Sequence, residues 1–405
     1  MTLTSQPASV ARQLSVRSIM ETLLRQGPVS RAELARLTGL SKQTATEVVR
    51  VLESGGWIRP DGQTQGALGR SAVTYTLETR AAFVAGIDLG GTKIRLALAD
   101  LAGTVVGEAV EPTDRRGGEH VITQIGALTD RVAAQADMPA GALRGATLGC
   151  PGVLEPATGA VTIAPNIPGF DRLDVLRVLE ERLGCPVSVE NDVNLAAKGE
   201  QWQGCCQDVR DFAFIALGTG VGMGIVANGQ LLRGAGGAAG EIAYLPLGGD
   251  PFDSRGYRYG TLETALSSEA LLGRYRGFGG TGAQDVRGIF DCLGEGDAAA
   301  AATMDEAARL LVQALMAVRA LLDPARIVLG GSVGARVELA ERVRALAARY
   351  MRSPMPIDTS ALGSRAAVVG AVGMALTRLH AGLFGLSDLP HDSRLPAAPA
   401  LPVPA

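Results

Sequence analysis

The feature that most constrains the fold is a strand-turn-strand unit with a glycine-rich corner, which occurs twice in the chain. The first copy spans residues 83–100 and the second spans residues 212–227. Their corners read Gly90-Gly91-Thr92-Lys93 and Gly218-Thr219-Gly220-Val221-Gly222. A repeat of this kind indicates two duplicated lobes. The stretch 212–232 has no charged residue, but its apolar halves alternate around glycines, which predicts a buried hairpin and not a membrane-spanning helix.

The glycine corners are candidates for binding phosphate. They are expected to take positive φ angles and to let the backbone approach a bound group closely. Backbone N–H groups and Thr hydroxyls in such corners form a nest for phosphate oxygens, and Asp88 is placed to hold Mg²⁺ through water. One such corner is more often a plain turn, whereas two that face each other across a cleft predict a nucleotide site. A third pair, Gly330-Gly331, either packs against a nucleotide base or lets a helix and a strand approach.

Carboxylate and amide side chains at the strand-to-helix junction Glu190-Asn191-Asp192 are candidates for sugar chemistry. Asp192 there can accept the proton of a sugar hydroxyl that attacks a phosphoryl group, or it can simply cap the following helix. Asn166, Glu241 and Glu263 are further candidates for binding sugar hydroxyls. Each of these three, taken alone, is more often a solvated or capping residue.

The first eighty residues predict a winged helix-turn-helix. A helix over residues 13–26 precedes a capping box at Ser30, a short helix to Leu37, and a second helix from Ser41 to about Ser54. A strand from Trp57 and another over residues 72–77 form the wing. The candidate DNA contacts lie at the start of the second helix and at the base of the wing: Ser41, Lys42, Gln43, Thr44, Thr46, Arg50 and Arg70. The alternative is a helical adaptor that binds protein, and Lys42 and Arg50 taken singly are also consistent with phosphate contacts alone.

Charge and cysteine content agree with an intracellular DNA-binding protein. Residues 1–80 hold ten Lys and Arg against six Asp and Glu, a net charge of +4, while the whole chain has −3 and the remainder therefore −7. A basic segment on an acidic body indicates a small module that binds anions. The five cysteines include no C-x-x-C pair and no apolar leader precedes them, which predicts reduced thiols, a cytoplasmic location and no membrane association.

Taken together, these motifs resemble the ROK family of bacterial repressors and sugar kinases, over about residues 14–379. The family has an actin- and hexokinase-like fold, and the two glycine corners resemble its phosphate motifs. The resemblance implies that Asp192 is the kinase base and that Glu241 and Glu263 bind sugar. The fused winged helix resembles the regulator branch, whose members bind operators as dimers or tetramers and respond to sugars.

One departure from the family concerns metal. Family members usually hold a structural zinc with a His and three Cys in a Cys-x-Cys-Gly-x-x-Gly-Cys run. Here Tyr244 stands at the His position, and Asp253, Arg255 and Thr261 stand at the Cys positions. We therefore expect no zinc, and Tyr244 changes the expected contacts to the sugar.

These observations predict an α/β chain with a winged helix-turn-helix followed by a two-lobed actin-like body. The expected domains are residues 1–80, 81–200 and 201–388, with a last helix that can return to the first lobe and a disordered tail over 389–405. The predicted function is a sugar-responsive regulator, a repressor that binds operator DNA and a sugar or sugar phosphate as a homodimer or homotetramer. The alternative is an ATP-dependent sugar kinase that uses Mg²⁺, because both phosphate motifs are intact. Such motifs can also persist as turn geometry alone.

Overall fold

A computed structural model describes residues 10–65, 71–154, 161–162, 167–170 and 173–383. The helices are α1 Val10–Gln26, α2 Arg31–Thr38, α3 Lys42–Ser54, α4 Gly118–Gln135, α5 Val175–Leu183, α6 Asp192–Gln203, α7 Ser254–Tyr259, α8 Thr261–Leu266, α9 Ser268–Gly277, α10 Val286–Gly294, α11 Ala298–Leu322, α12 Gly331–Gly334, α13 Val337–Tyr350 and α14 Ala366–Leu383. The strands are β1 Val29–Ser30, β2 Ile58–Gln65, β3 Ser71–Leu77, β4 Phe83–Leu89, β5 Lys93–Asp100, β6 Val105–Pro112, β7 Leu143–Cys150, β8 Val153–Leu154, β9 Val161–Thr162, β10 Val187–Asn191, β11 Phe212–Leu217, β12 Val221–Ala227, β13 Gln230–Leu231, β14 Arg326–Gly330 and β15 Ile357–Thr359.

The chain divides into two compact units. The first contains Met1–Leu148, Asn166–Val189 and Ala371–Ala405, and the second contains Gly149–Pro165 and Glu190–Gly370. Three predictions lie outside the described residues: the DNA contact of Arg70, the sugar contact of Asn166 and the disordered tail.

The predicted winged helix-turn-helix is confirmed within the first unit. Ser30 caps α2 by accepting from the N–H of Glu33, and Ser41 caps α3 by accepting from the N–H of Thr44. Strands β1, β3 and β2 form the small sheet of the wing. The apolar sides of α1, α2 and α3 share one core with Trp57 and Tyr75, so this module has the buried surface that its fold requires.

The predicted internal repeat extends from the hairpins to whole sheets. The sheet that contains the first hairpin has the order β10-β7-β4-β5-β6, and the sheet with the second hairpin has β15-β14-β11-β12-β13. In both, an antiparallel glycine-cornered hairpin comes first in sequence, and its leading strand pairs with strands that come later. The stretch 212–232 is a hairpin with a short third strand, as its pattern predicts.

The conformational explanation for the corner glycines is wrong. Left-handed φ angles occur at 21 described glycines, but not at Gly90, Gly218 or Gly220. Space, and not φ, requires glycine in the second corner. A Cβ on Gly220 would lie 2.6 Å from Glu263 Oε2, and one on Gly222 would lie 2.9 Å from Val193 Cγ2. Real Cβ atoms do not approach that closely, so the second corner is glycine because the side chains of Glu263 and Val193 pack against it.

Helix α14 is the most apolar long helix. Residues 363–383 are the one described segment long and apolar enough to cross a membrane, yet half of that window is buried inside the protein. Within the first unit, Leu379 and Leu383 pack against the winged-helix core. The Nε2 atom of buried His380 lies 2.9 Å from the carbonyl oxygen of Leu101. The apolar composition of α14 is thus that of a core helix.

Candidate functional site

The start of α6 carries the predicted base in the second unit. Asn191, and not Asp192, caps the helix: its Oδ1 accepts from the N–H groups of Val193 at 2.9 Å and Asn194 at 3.1 Å. The Nδ2 of Asn191 donates to the carbonyl oxygen of Gly152. Asp192 is the first residue of the helix proper, and burial raises the pKa of its carboxyl. The N-cap position is therefore that of Asn191, while Asp192 Oδ1 also accepts from the N–H of Val193 at 2.9 Å.

Glu241 lies close enough to both Glu263 and Asp192 for their charges to act on it. The pKa of Glu241 is raised, mainly because surrounding protein atoms displace water from its carboxyl. The negative charges of Glu263 and Asp192 raise it further. Burial also raises the pKa of Glu263, although a hydrogen bond from the N–H of Val221 at 3.0 Å opposes it. The structure thus brings together three of the predicted sugar residues. A cluster of carboxyl groups with raised pKa values is typical of a functional site. Mutual repulsion between such groups does not stabilise the fold, so their clustering indicates a role in function.

Replacing Glu241 with Gln is expected to stabilise the protein above neutral pH. A carboxyl whose pKa is raised on folding costs stability once it is ionised in the native state. That cost is fully present above the native pKa, and it vanishes as the pH falls toward the unfolded value. The melting temperature of Glu241→Gln should therefore exceed that of the parent at pH 8, and the gap should close toward pH 4.5, the ordinary value for Glu.

The matched control is Glu241→Asp, which keeps the charge and should keep the pH dependence of the parent. A gap between Glu241→Gln and the parent that stays constant from pH 8 to about pH 4.5 would show that its cause is not ionisation.

The second glycine corner uses much of its own hydrogen-bonding capacity. The N–H of Gly218 donates to the carbonyl oxygen of Gly220 at 3.0 Å. The carbonyl oxygen of Gly218 accepts from both the N–H and the Oγ of Ser268. The N–H of Val221 donates to Glu263. Thr219 stays exposed at the tip. This corner is therefore tied to the carboxylate cluster through Glu263.

The first corner is more open. Gly91, Thr92 and Lys93 are exposed. The N–H of Gly90 donates to the carbonyl oxygen of Lys93, which closes the turn. Asp88 is half-buried on β4, opposite Arg95. These residues belong to the first unit, whereas the second corner and the three carboxylates belong to the second.

Gly330 and Gly331 lie against the second sheet. A Cβ on Gly330 would lie 2.1 Å from Phe214 Cζ, and one on Gly331 would lie 2.4 Å from the carbonyl oxygen of Leu217. Gly331 also has a φ of 79°, which favours glycine. Of the two interpretations, close approach of a strand and a helix is the one for which the structure supplies contacts.

A buried ion pair beside Asp192 was not predicted from the sequence. Glu190 is 4% exposed, and its Oε2 accepts from Arg233 Nε at 2.8 Å and Nη2 at 2.7 Å. Its Oε1 accepts from Asn194 Nδ2 and from its neighbour Asn191. One signal was available: Arg233 is the first charged residue after 21 uncharged ones. A charge retained at that point indicates a specific partner.

The segment around Tyr244 contains the positions at which the family resemblance implies zinc ligands. Asp253 caps α7 by accepting from the N–H of Gly256 at 2.6 Å. Tyr244 is 47% exposed, and its hydroxyl donates to the carbonyl oxygen of Arg258. Thr261 is buried at the start of α8. No cluster of three His, Cys, Asp or Glu side chains suited to a metal occurs among the described residues.

The DNA-facing candidates lie on α3. Lys42, Gln43, Thr46 and Arg50 are exposed, while the opposite side of the helix packs into the core of the module. Three hydroxyls already have partners: those of Ser41 and Thr44 lie 2.8 Å apart, and Thr46 donates to the carbonyl oxygen of Lys42. Lys42, Gln43 and Arg50 are therefore the best-placed side chains for reaching a groove.

Comparisons with known proteins extend over both parts of the chain. Residues 84–378 match the model of the ROK family, and residues 14–65 match that of the MarR family. The DNA-binding transcriptional dual regulator NagC of Escherichia coli K12 is 26% identical over 377 residues, which covers 89% of this chain and 91% of NagC. A glucokinase of Halalkalibacterium halodurans is 35% identical over 266 residues, 61% of this chain and 79% of the kinase. A crystal structure described as a ROK family transcriptional regulator, homolog of E. coli MLC protein, has the same fold, with a TM-score of 0.73 at 22% identity over 93% of this chain and 98% of that chain.

Proposed function

Because the chain belongs to the ROK family and carries a MarR-type winged helix-turn-helix, we propose that it is a cytoplasmic, sugar-responsive repressor. It binds operator DNA through α3 as a homodimer or homotetramer, and it binds a sugar or sugar phosphate at the carboxylate cluster of the second unit. The observation that carries the proposal is the exposed polar face of α3, fused to a body that bears Asp192, Glu241 and Glu263. NagC, which is similar over nearly the whole chain, is described as a DNA-binding transcriptional regulator.

Sugar binding changes the operator affinity of the protein by shifting a conformational equilibrium. A sugar that binds one arrangement of the body more tightly than another raises the population of that arrangement. If that arrangement displaces the two winged helices of an oligomer, operator affinity falls, and each bound sugar lowers it by at most the ratio of the two sugar affinities. A thermal-shift screen of sugars and sugar phosphates identifies the ligand, because binding to the native state raises the melting temperature.

Loss of Lys42 and Arg50 should weaken DNA binding and flatten its salt dependence. Each phosphate contact that is lost lowers the slope of log affinity against log salt by about one, so Lys42→Ala/Arg50→Ala should lose up to about two. The measurement is gel retardation over a salt series, with duplexes first selected by the parent protein from a random library.

Gln43→Ala should instead relax base preference in the same selection, since a base-edge contact is worth about 1–3 kcal/mol. Arg177→Ala, which removes an exposed charge from α5, is the control for net charge. Parental affinity and salt slope in the double variant would mean that α3 does not bind DNA.

A second candidate function is an ATP-dependent sugar kinase that uses Mg²⁺. The observation that favours it is that Asn191 takes the N-cap position, while burial raises the pKa of the Asp192 carboxyl at the start of α6. The glucokinase similarity is a second support. The test is sugar-dependent release of ADP, compared with Asp192→Asn; turnover no higher than that of the variant excludes the kinase.

We further propose that the protein needs no zinc. Asp253 and Tyr244, which stand at positions where the family resemblance implies metal ligands, instead make hydrogen bonds within the segment. Metal analysis of the purified protein tests this, and one equivalent of zinc per chain would refute it.

A further inference from the structure

A buried carboxylate in the second unit binds a thiol. Glu200, in the last turn of α6, is fully buried. Its Oε1 accepts hydrogen bonds from Ser360 Oγ at 2.5 Å and from the N–H of Leu362 at 3.0 Å. Its Oε2 accepts from the N–H of Cys205 at 2.9 Å and from the Sγ of the same residue at 3.3 Å. A buried charge needs such donors, and one of its four is a thiol.

The next residue is also a cysteine, and the two thiols contact each other. Cys205 is half-buried, whereas Cys206 is fully buried in a cluster with Phe212 and Phe214. A hydrogen bond from the Cys206 thiol lowers the pKa of Cys205, although burial and the Glu200 carboxylate oppose that shift. The same bond, together with burial, raises the pKa of Cys206. Cys205 is therefore the thiol that ionises first and that solvent reaches.

The backbone around the pair is held in place from several directions. The N–H of Cys206 donates to the carbonyl oxygen of Glu200 at 3.0 Å, and Arg326 donates to the carbonyl oxygen of Cys205. A Cβ on Gly204 would lie 1.9 Å from Glu200 Oε2, so the turn can reach the carboxylate only because that residue is glycine. The two thiols are thus presented in a fixed turn, with no other cysteine next to them in sequence.

We propose that Cys205 and Cys206 are an oxidisable dithiol, which hydrogen peroxide converts to a disulfide between adjacent residues. The Cys205 sulfur attacks one peroxide oxygen, an S–O bond forms as the O–O bond breaks, and the thiol proton leaves along the hydrogen bond to Glu200 and ends on the departing hydroxide as water. The Cys206 sulfur then attacks the Cys205 sulfur. The S–S bond forms, the S–O bond breaks, and the released hydroxide takes the Cys206 proton as a second water.

Oxidation changes what Glu200 binds. The disulfide has no S–H, so the carboxylate loses one of its four donors. The remaining donors tie the end of α6 to residues 360–362, just before α14. Because α6 begins with Asn191 and Asp192, oxidation acts on the helix that carries the candidate sugar site. The modification itself does not depend on the proposed function, since it is read from the thiols.

The test is peroxide treatment of the reduced full-length protein, followed by alkylation, intact mass and peptide mapping. We expect a loss of about 2 Da, the two thiol hydrogens, an unalkylated peptide that contains both cysteines, and reversal by dithiothreitol. Cys205→Ser should leave Cys206 alkylated. Cys206→Ala, which keeps the buried position apolar, should stop at a sulfenic acid on Cys205 that dimedone traps.

The control is Cys292→Ser, which removes another half-buried thiol and should form the disulfide as the parent does. Alkylation of both adjacent thiols after peroxide treatment, or a disulfide from either of them to any other cysteine, would overturn the proposal.

Discussion

Gly370→Ala is expected to destabilise the second unit by more than about 3 kcal/mol, the upper range for adding atoms to a packed core. Gly370 lies in the first turns of α14, and its Cβ would come 1.8 Å from the carbonyl oxygen of Leu195 and 2.9 Å from the N–H nitrogen of Gly199. The contact is equally close from the other helix, since a Cβ on Gly199 would lie 2.1 Å from the carbonyl oxygen of Ala366. Backbone atoms cannot rotate away as side chains do, so α6 and α14 would have to separate.

The same helix supplies the control. Gly382 is also helical, but no atom of the described residues lies within 4 Å of its Cβ position. Gly382→Ala should therefore leave stability unchanged or raise it by up to about 1 kcal/mol, since alanine is the better helix former. The measurement is the thermal midpoint of each variant. Equal shifts for the two substitutions would contradict the backbone contact between α6 and α14.

Arg233→Ala is expected to cost about 2–3 kcal/mol, somewhat less than the usual 3–5 kcal/mol for a broken buried pair. The expected loss of stability is smaller because Arg233 is 46% exposed, whereas the Glu190 side chain is only 5% exposed. Without the guanidinium, a buried carboxylate keeps only the two donors on its other oxygen. Because Glu190 precedes Asn191, the loss should also weaken sugar binding at the proposed site.

Two further variants separate charge from packing. Arg309→Ala breaks an ion pair with Glu306 in which the arginine is 58% exposed, and it should cost no more than about 1 kcal/mol. Adding Glu190→Gln to Arg233→Ala removes the unpaired charge of the Glu190 carboxylate. The double variant should therefore recover part of the stability that Arg233→Ala loses. A double variant less stable than Arg233→Ala would show that Glu190 is held by interactions other than charge.

The sequence predictions are most accurate for features set by interactions between residues that are close together in the sequence. The ends of α2 and α3 are set by Ser30, Ser41 and Gly39, which act on residues two to four positions away, and these ends were predicted closely. The internal repeat was predicted because duplicated strands keep their apolar pattern. Asn191 and Asp192 are equally good caps by type, so only coordinates show that Asn191 occupies the N-cap position.

Long-range contacts could not be predicted. The glycine corners were expected to need positive φ, yet the restricting atoms belong to Glu263, 43 positions beyond Gly220, and to Val193, 29 positions before Gly222. The partner of Glu190 lies 43 positions away. The residues that make such contacts stand singly in the sequence, and no periodicity or regular spacing identifies them.

The last turns of α14 bear on how the protein is made. Translation delivers residues 10–77 first, but Leu379 and Leu383 complete the apolar cluster to which those residues belong. A ribosome that stops early therefore releases a polypeptide whose DNA-reading module still exposes part of its interior to water. The apolar core of that module is covered only after residues up to Leu383 have been synthesised.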